Sequence, residues 1–215
     1  MKRTTLLIPL TLASLLLLGG CVSQAPVAGP GPVSQPSTTT VQPTTPSTGA
    51  VAVQQPVPAE TNPPGDIPDN QAFVAYVVPG GFSVKVPEGW SRVSTASSAE
   101  FTDKLNTIRV SWAAAPAAPT VANVTSTDIP KLKASETAFE FVSVKAVALP
   151  AGASVLTIYR INSAPNQVTG KQYRLDVERY SVFRNGVRVD LTLLSPVGSD
   201  NVDPWRIVST SLTWK

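Results

Sequence analysis

The 215-residue sequence contains no histidine, and its single cysteine is Cys21. Those two absences exclude His-based triads, HExxH zinc sites, cysteine-cluster metal sites and any intramolecular disulfide. Charge is scarce, at 14% of residues. Of the 17 Lys and Arg residues, Lys2 and Arg3 lie in a segment expected to be cut away, so 15 face 14 Asp and Glu. That balance gives no reason to expect a nucleic-acid partner. Aromatic residues are absent before Phe73; all four Trp, four Tyr and six Phe lie between Phe73 and Trp214, which marks where a core can form. No Ser is followed three residues later by Lys, and no Gly-x-Ser-x-Gly elbow occurs, so the commoner serine nucleophile arrangements are missing too.

No apolar run reaches the roughly twenty residues a spanning helix needs. Met1-Lys2-Arg3 followed by the apolar stretch Leu6 to Leu18 instead has the form of a signal peptide over residues 1–20. It ends Leu18-Gly19-Gly20-Cys21, which resembles the lipobox of bacterial lipoproteins: an aliphatic residue, two small residues, then Cys. The resemblance implies a diacylglyceryl group on Cys21, cleavage before it and extracytoplasmic anchoring in a bacterial cell membrane or outer membrane. The alternative, an ordinary secretory signal, leaves a lone thiol in an oxidising compartment. Two or three acyl chains, at about 0.8 kcal/mol per buried CH₂, exceed what stable anchoring requires. Cys21 is therefore expected to carry a covalent lipid, with no other cofactor.

Residues 21–70 are expected to be a disordered linker. From Val22 to Asn70 the chain holds eleven of its 21 prolines and no aromatic residue, and it carries no charge before Glu60. Such a segment cannot offset the backbone entropy of folding. As a coil it spans roughly 40 Å, and stretched it reaches about 150 Å. It contains no PxxP run flanked by basic residues, so a proline-motif ligand is disfavoured.

Residues 71–215 are expected to form one α+β domain, an antiparallel sheet covered by one to three helices. Period-two alternation marks strands at Phe82 to Val86, Ile108 to Trp112, Phe141 to Leu149 and Ser154 to Asn162. Two further runs between Tyr173 and Ser195 flank Asn185-Gly186, a hairpin signal. A two-residue primed turn would set Val189 against Val182 and divide the apolar residues between opposite faces, so a three-residue loop Arg184-Asn185-Gly186, which pairs Phe183 with Val187 and collects them on one side, is expected instead. Arg174, Asp176, Glu178, Arg188, Asp190 and Thr192 then share the polar side, and Arg179 is the misfit. A C-terminal helix is expected from Asp203 as cap and Pro204 in the first turn, with Trp205, Val208 and Leu212 on one face. A weaker helix between Thr120 and Lys133 is expected to be cut short by Pro130.

The run Phe82-Ser83-Val84-Lys85-Val86-Pro87-Glu88-Gly89-Trp90, then Phe101-Thr102-Asp103, and the closing Ser211-Leu212-Thr213-Trp214 resemble the PsbP-like superfamily and its LpqN-type bacterial lipoproteins. The resemblance implies an α/β/α sandwich acting as a noncatalytic binding or assembly module; for a lipid-anchored chain an envelope protein is the expected partner. A carrier or sensor of a small or lipophilic envelope ligand is the alternative, to be recognised by an apolar pocket of several hundred Å³ beside Trp90.

Other local patterns weigh against chemistry. Thr169-Gly170-Lys171 fails as a phosphate loop, because Pro165 stands where Gly is required and Gln172 where Ser or Thr is. Asp200, Asn201 and Asp203 concentrate oxygen ligands, but without EF-hand spacing; turn and cap roles are expected before a cation. Asp176, Glu178 and Asp190 each have Arg174 or Arg188 nearby, which suits an ionised carboxylate and not a general acid. Trp112 and Trp205 read as core, and Trp90 and Trp214 as partly exposed. A ligand or partner is expected at Trp90, at the Ser163 to Lys171 loop including Lys171, and on the polar face bearing Arg174 and Arg188.

Overall fold

The computed structural model describes residues 54–78 and 81–215. The signal peptide, Cys21 and the linker as far as Val53 lie outside the described residues. The strands are β1 (Phe73–Val78), β2 (Phe82–Pro87), β3 (Ser91–Ser94), β4 (Ser98–Asp103), β5 (Asn106–Ala114), β6 (Glu140–Leu149), β7 (Gly152–Asn162), β8 (Arg174–Arg184), β9 (Val187–Pro196) and β10 (Thr213–Trp214). Seven form one antiparallel sheet in the order β3-β4-β5-β9-β8-β7-β6, and β1-β2-β10 form a second, smaller sheet. The helices are α1 (Val121–Asn123), continued by a π-helical stretch Val124–Asp128 into α2 (Ile129–Ser135), and α3 (Val202–Thr210).

The large sheet is buried on both faces. On one, Ile108, Val110, Val182, Val189, Leu191 and Leu193 pack with Phe82, Val84 and Val86 of β2 and with Trp205 and Val208 of α3 and Leu212 after it. On the other, Tyr159, Ile161, Leu175, Val177 and Leu194 meet Leu132 of α2. This is a sheet with helices on both sides, the layered α+β arrangement expected of the domain.

Burial on both faces overturns the expected hairpin register. Arg184 pairs with Val187, Phe183 with Arg188 and Val182 with Val189. The loop is the two-residue Asn185-Gly186 turn with φ of 51° and 78°, as a primed turn requires. The apolar set does change sides along the strands, because each side has its own core to fill. Hence no single wet face exists: Asp176 and Glu178 lie on the α3 side, whereas Arg179, Arg188, Asp190 and Thr192 lie under the α1–α2 segment.

Three other expectations are corrected. Pro130 does not cut its helix, which runs from Val121 to Ser135; the Ile129 N–H bonds back to the Val124 carbonyl, and this widened turn accommodates the proline ring. Asp203 does not cap α3. It sits in the first turn and pairs with Arg206 at 2.9 Å, while Asn201 occupies the cap position without a capping bond. Residues 54–70, assigned to the linker, lie against the domain instead. Ile67 is buried and its N–H donates to Asn201 Oδ1 at 2.8 Å; the Gly65 carbonyl accepts from Asn106 Nδ2 at 2.7 Å and Asn201 Nδ2 at 2.9 Å. Val57 N–H reaches Asn162 Oδ1, and Asp66 accepts from the Asp200 N–H. Gly65 suits this close approach, since a Cβ there would lie 2.8 Å from the Pro196 ring.

Candidate functional site

Trp90 follows β2 through a turn in which Gly89 takes φ 84°, a conformation that favours glycine. Its indole stands edge-on to Trp205 at 6.5 Å, so one side of Trp90 belongs to the core. Beside it opens a hollow of about 420 Å³, where Val74, Tyr76, Pro87, Arg92 and Phe101 join Trp90. Tyr76 meets Phe101 edge-to-face at 5.0 Å, and the Arg92 guanidinium lies 5.6 Å from the centre of the Tyr76 ring. Val74 is 44% exposed on its rim. Tryptophan, tyrosine and arginine are the side chains that anchor protein interfaces.

Lys171 closes the Ser163 to Lys171 loop and lines a second hollow of about 440 Å³ with Lys104, Asn162 and Tyr173. Its ammonium pairs with Glu60 of the docked leading segment and lies 4.7 Å from the centre of the Tyr173 ring. The hydrogen bond to Glu60 raises the Lys171 pKa above its ordinary value. The structure does not bring Lys171 to Trp90; they line separate hollows.

Arg174 and Arg188 do not present a free polar surface. Arg174 is 5% exposed; it donates to the Ala138 carbonyl at 2.7 Å, Asn162 Oδ1 at 3.1 Å and Glu140 Oε2 at 2.8 Å. Arg188 bridges Asp128 of the π-helical stretch at 2.5 Å and Asp190 of its own strand at 2.9 Å. Asp190 also accepts from Ser181 Oγ and from Arg179 at 2.9 Å. Burial lowers the Arg188 pKa, but Asp128 and Asp190 outweigh it and the net direction is upward. Both arginines hold elements together: Arg174 joins β8 to β6 and to the turn between α2 and β6, and Arg188 clamps the α1–α2 segment to the sheet.

The Asp200 to Asp203 turn is occupied by protein. Asn201 spends its amide on Gly65, Ile67 and Asn106 Oδ1 (3.1 Å), the Asp200 N–H reaches Asp66, and Asp203 pairs with Arg206. Among the described residues no group of three or more acidic, Cys or His side chains is placed to hold a metal ion.

A third cavity, of about 480 Å³, was not anticipated. It lies between α3 and the β6–β8 end of the sheet, over Leu149, Leu156 and Trp205, with Lys145, Glu178 and Tyr180 on its walls. Tyr180 Oη donates to Glu178 Oε2 at 2.7 Å. Burial, reinforced by that carboxylate, pushes the Tyr180 phenol far above the usual tyrosine range. Sequence spacing has no means of finding this groove, because its walls come from β6, β8 and α3, and the side of β8 that faces it follows from the hairpin register.

Among solved structures, the chain is similar to cyanobacterial PsbP (CyanoP) from Synechocystis sp. PCC 6803, with TM-score 0.51 and 14% identity over 72% of this chain and 100% of that one. It is also similar to the Ran-binding protein Mog1p of Saccharomyces cerevisiae, with TM-score 0.40 and 9% identity over 59% and 78% of the two chains. A third is LpqN of Mycobacterium tuberculosis, described as involved in cell envelope biogenesis, with TM-score 0.39 and 15% identity over 67% and 85%. No family model matches the chain. No curated protein matches it. The first of these likenesses shows the fold, which is PsbP-like. Among the described residues no helix is long and apolar enough to cross a membrane.

Proposed function

We propose that this chain is a lipid-anchored, extracytoplasmic, noncatalytic module of the bacterial envelope that binds another envelope protein through the hollow beside Trp90. Anchoring rests on the Leu18-Gly19-Gly20-Cys21 lipobox, with the covalent lipid on Cys21 as the only prosthetic group. The observation that carries the binding surface is the meeting of Trp90, Tyr76 and Arg92 around an open hollow with polar as well as apolar lining. Three of the sheet's carboxylates are used structurally, whereas Glu178, expected to have an arginine beside it, forms no ion pair among the described residues. Asp176 is held by Arg160 at 2.8 Å, Glu140 by Arg174 at 2.8 Å and Asp190 by two arginines. Each of these three carboxylates is committed to an ion pair that joins elements of the fold. Mechanistically the tether acts by effective concentration: a weak docking site becomes occupied when both partners are confined to one membrane.

A second reading, a carrier of a small lipophilic ligand, is favoured by the same hollow, whose volume lies within the range of ligand pockets. A photo-crosslinking residue at Val74 in the full-length protein, in its own cells, separates the two. A discrete protein adduct that disappears with Trp90→Ala and with the exposed Arg92→Ala supports the docking reading. A lipid-sized adduct with the same sensitivity transfers the site to the carrier reading. Adducts indifferent to both substitutions, or none at all, would refute both.

A further inference from the structure

The groove beneath α3 holds charges that the fold leaves uncompensated. On the same side of the sheet Asp176 is paired with Arg160, and Glu140 with Arg160 and Arg174. Glu178 forms no ion pair among the described residues, and its hydrogen-bond donor is the neutral Tyr180 hydroxyl at 2.7 Å. A half-buried carboxylate facing an apolar floor gains most from a cation that can also hydrogen-bond. On the same face of the sheet, two strands away on β6, Lys145 likewise forms no ion pair among the described residues. At the α3 end Ser199 Oγ is buried without a hydrogen-bond partner, and this residue also lines the groove.

We propose that the groove is a binding site for a small amphipathic zwitterion, a primary ammonium and an acidic group carried on one apolar stem. The ammonium goes to Glu178, the acidic group to Lys145, and the stem lies on Leu149, Leu156 and Trp205. The volume of about 480 Å³ suits a ligand of that size. Other occupants fit less well. The chain's own segment from Val22 to Ala59 carries no charge, so it cannot neutralise Glu178. A simple amine meets Lys145 and Arg206 on the walls, and a polyanion meets Glu178 and Asp176. The inference is independent of the Trp90 hollow and goes beyond the docking reading.

Dodecanoyl lysophosphatidylethanolamine, below its micelle concentration, is a probe with these features. Calorimetric titration uses the chain from position 21 onward with Cys21→Ser, so that no attached acyl group competes. One molecule is expected to bind per chain, with affinity lowered at least about tenfold by Glu178→Gln, which removes a charge-assisted bond while leaving an acceptor for Tyr180. Lys145→Ala, at an exposed position, is expected to weaken the same probe. The phosphatidylglycerol analogue, which lacks the ammonium, and dodecylamine, which lacks the acid, should bind at least about tenfold more weakly to the unsubstituted groove. Equal binding of all three amphiphiles, insensitivity to both substitutions in chains with unchanged melting temperature, or no binding of the first probe would each overturn the assignment.

Discussion

Asn201 should couple the leading segment to the domain. Its side chain is 2% exposed and makes three bonds: to the Ile67 N–H, the Gly65 carbonyl and the Asn106 amide. In Asn201→Ala the Gly65 carbonyl keeps Asn106, but the buried Ile67 N–H has no acceptor. An unsatisfied buried donor costs about 1–3 kcal/mol and each further lost bond about 0.5–1.5 kcal/mol. The substitution is therefore expected to cost roughly 2–6 kcal/mol, a melting decrease on the order of 4–24 °C for a domain of this size. With residues 54–70 deleted, Asn201 loses the Gly65 and Ile67 partners and gains water, so Asn201→Ala should cost less than about 1 kcal/mol. Urea unfolding of the four proteins in this cycle measures the coupling, expected near 2–3 kcal/mol. Additivity, with Asn201→Ala equally costly in both backgrounds, would refute the claim that the segment is part of the folded body.

Three further outcomes follow from the geometry. Burial raises the Tyr159 phenol to about 12. Because the folded pKa lies above the unfolded one, that stabilisation is complete below about pH 10 and is lost as pH rises toward 12, roughly 2–3 kcal/mol in all. Tyr159→Phe should flatten the decline in chemical-denaturation curves over this window, and an unchanged slope would contradict the assignment. Asp128→Asn removes the carboxylate charge that clamps the α1–α2 segment through Arg188; a loss of about 1–3 kcal/mol is expected, with amide exchange rising first in that segment. Gly186→Ala places a Cβ at φ 78° in the hairpin turn and should cost about 1–2 kcal/mol by thermal unfolding.

Strand positions were legible where alternation was local: Phe82 to Val86, Phe141 to Leu149 and Ser154 to Asn162 all lie within strands. The hairpin register was not, because deducing it required knowing how many faces of the sheet are covered. Asn185-Gly186 pointed to the two-residue turn, and only the assumption of one wet face argued against it. The domain's beginning was hidden for a different reason. Proline-rich composition resembles that of a free linker, while Gly65 and Ile67 are held by Asn106 and Asn201, far along the chain. Among the candidate side chains, Trp90 was identifiable as a partly exposed aromatic after a turn. The structural employment of Arg174 and Arg188 depended on Glu140 and Asp128, which sequence spacing does not bring near them.

Confinement of the proposed docking surface to a membrane requires a lipid on Cys21. Intact-mass spectrometry of the protein extracted from its own cells tests this directly, alongside metabolic labelling with a fatty-acid probe. A chain beginning at Cys21, heavier by a diacylglyceryl group or more and unlabelled when Cys21→Ser is introduced, is the predicted result. A secreted chain with a free thiol, or label that survives the substitution, would contradict it.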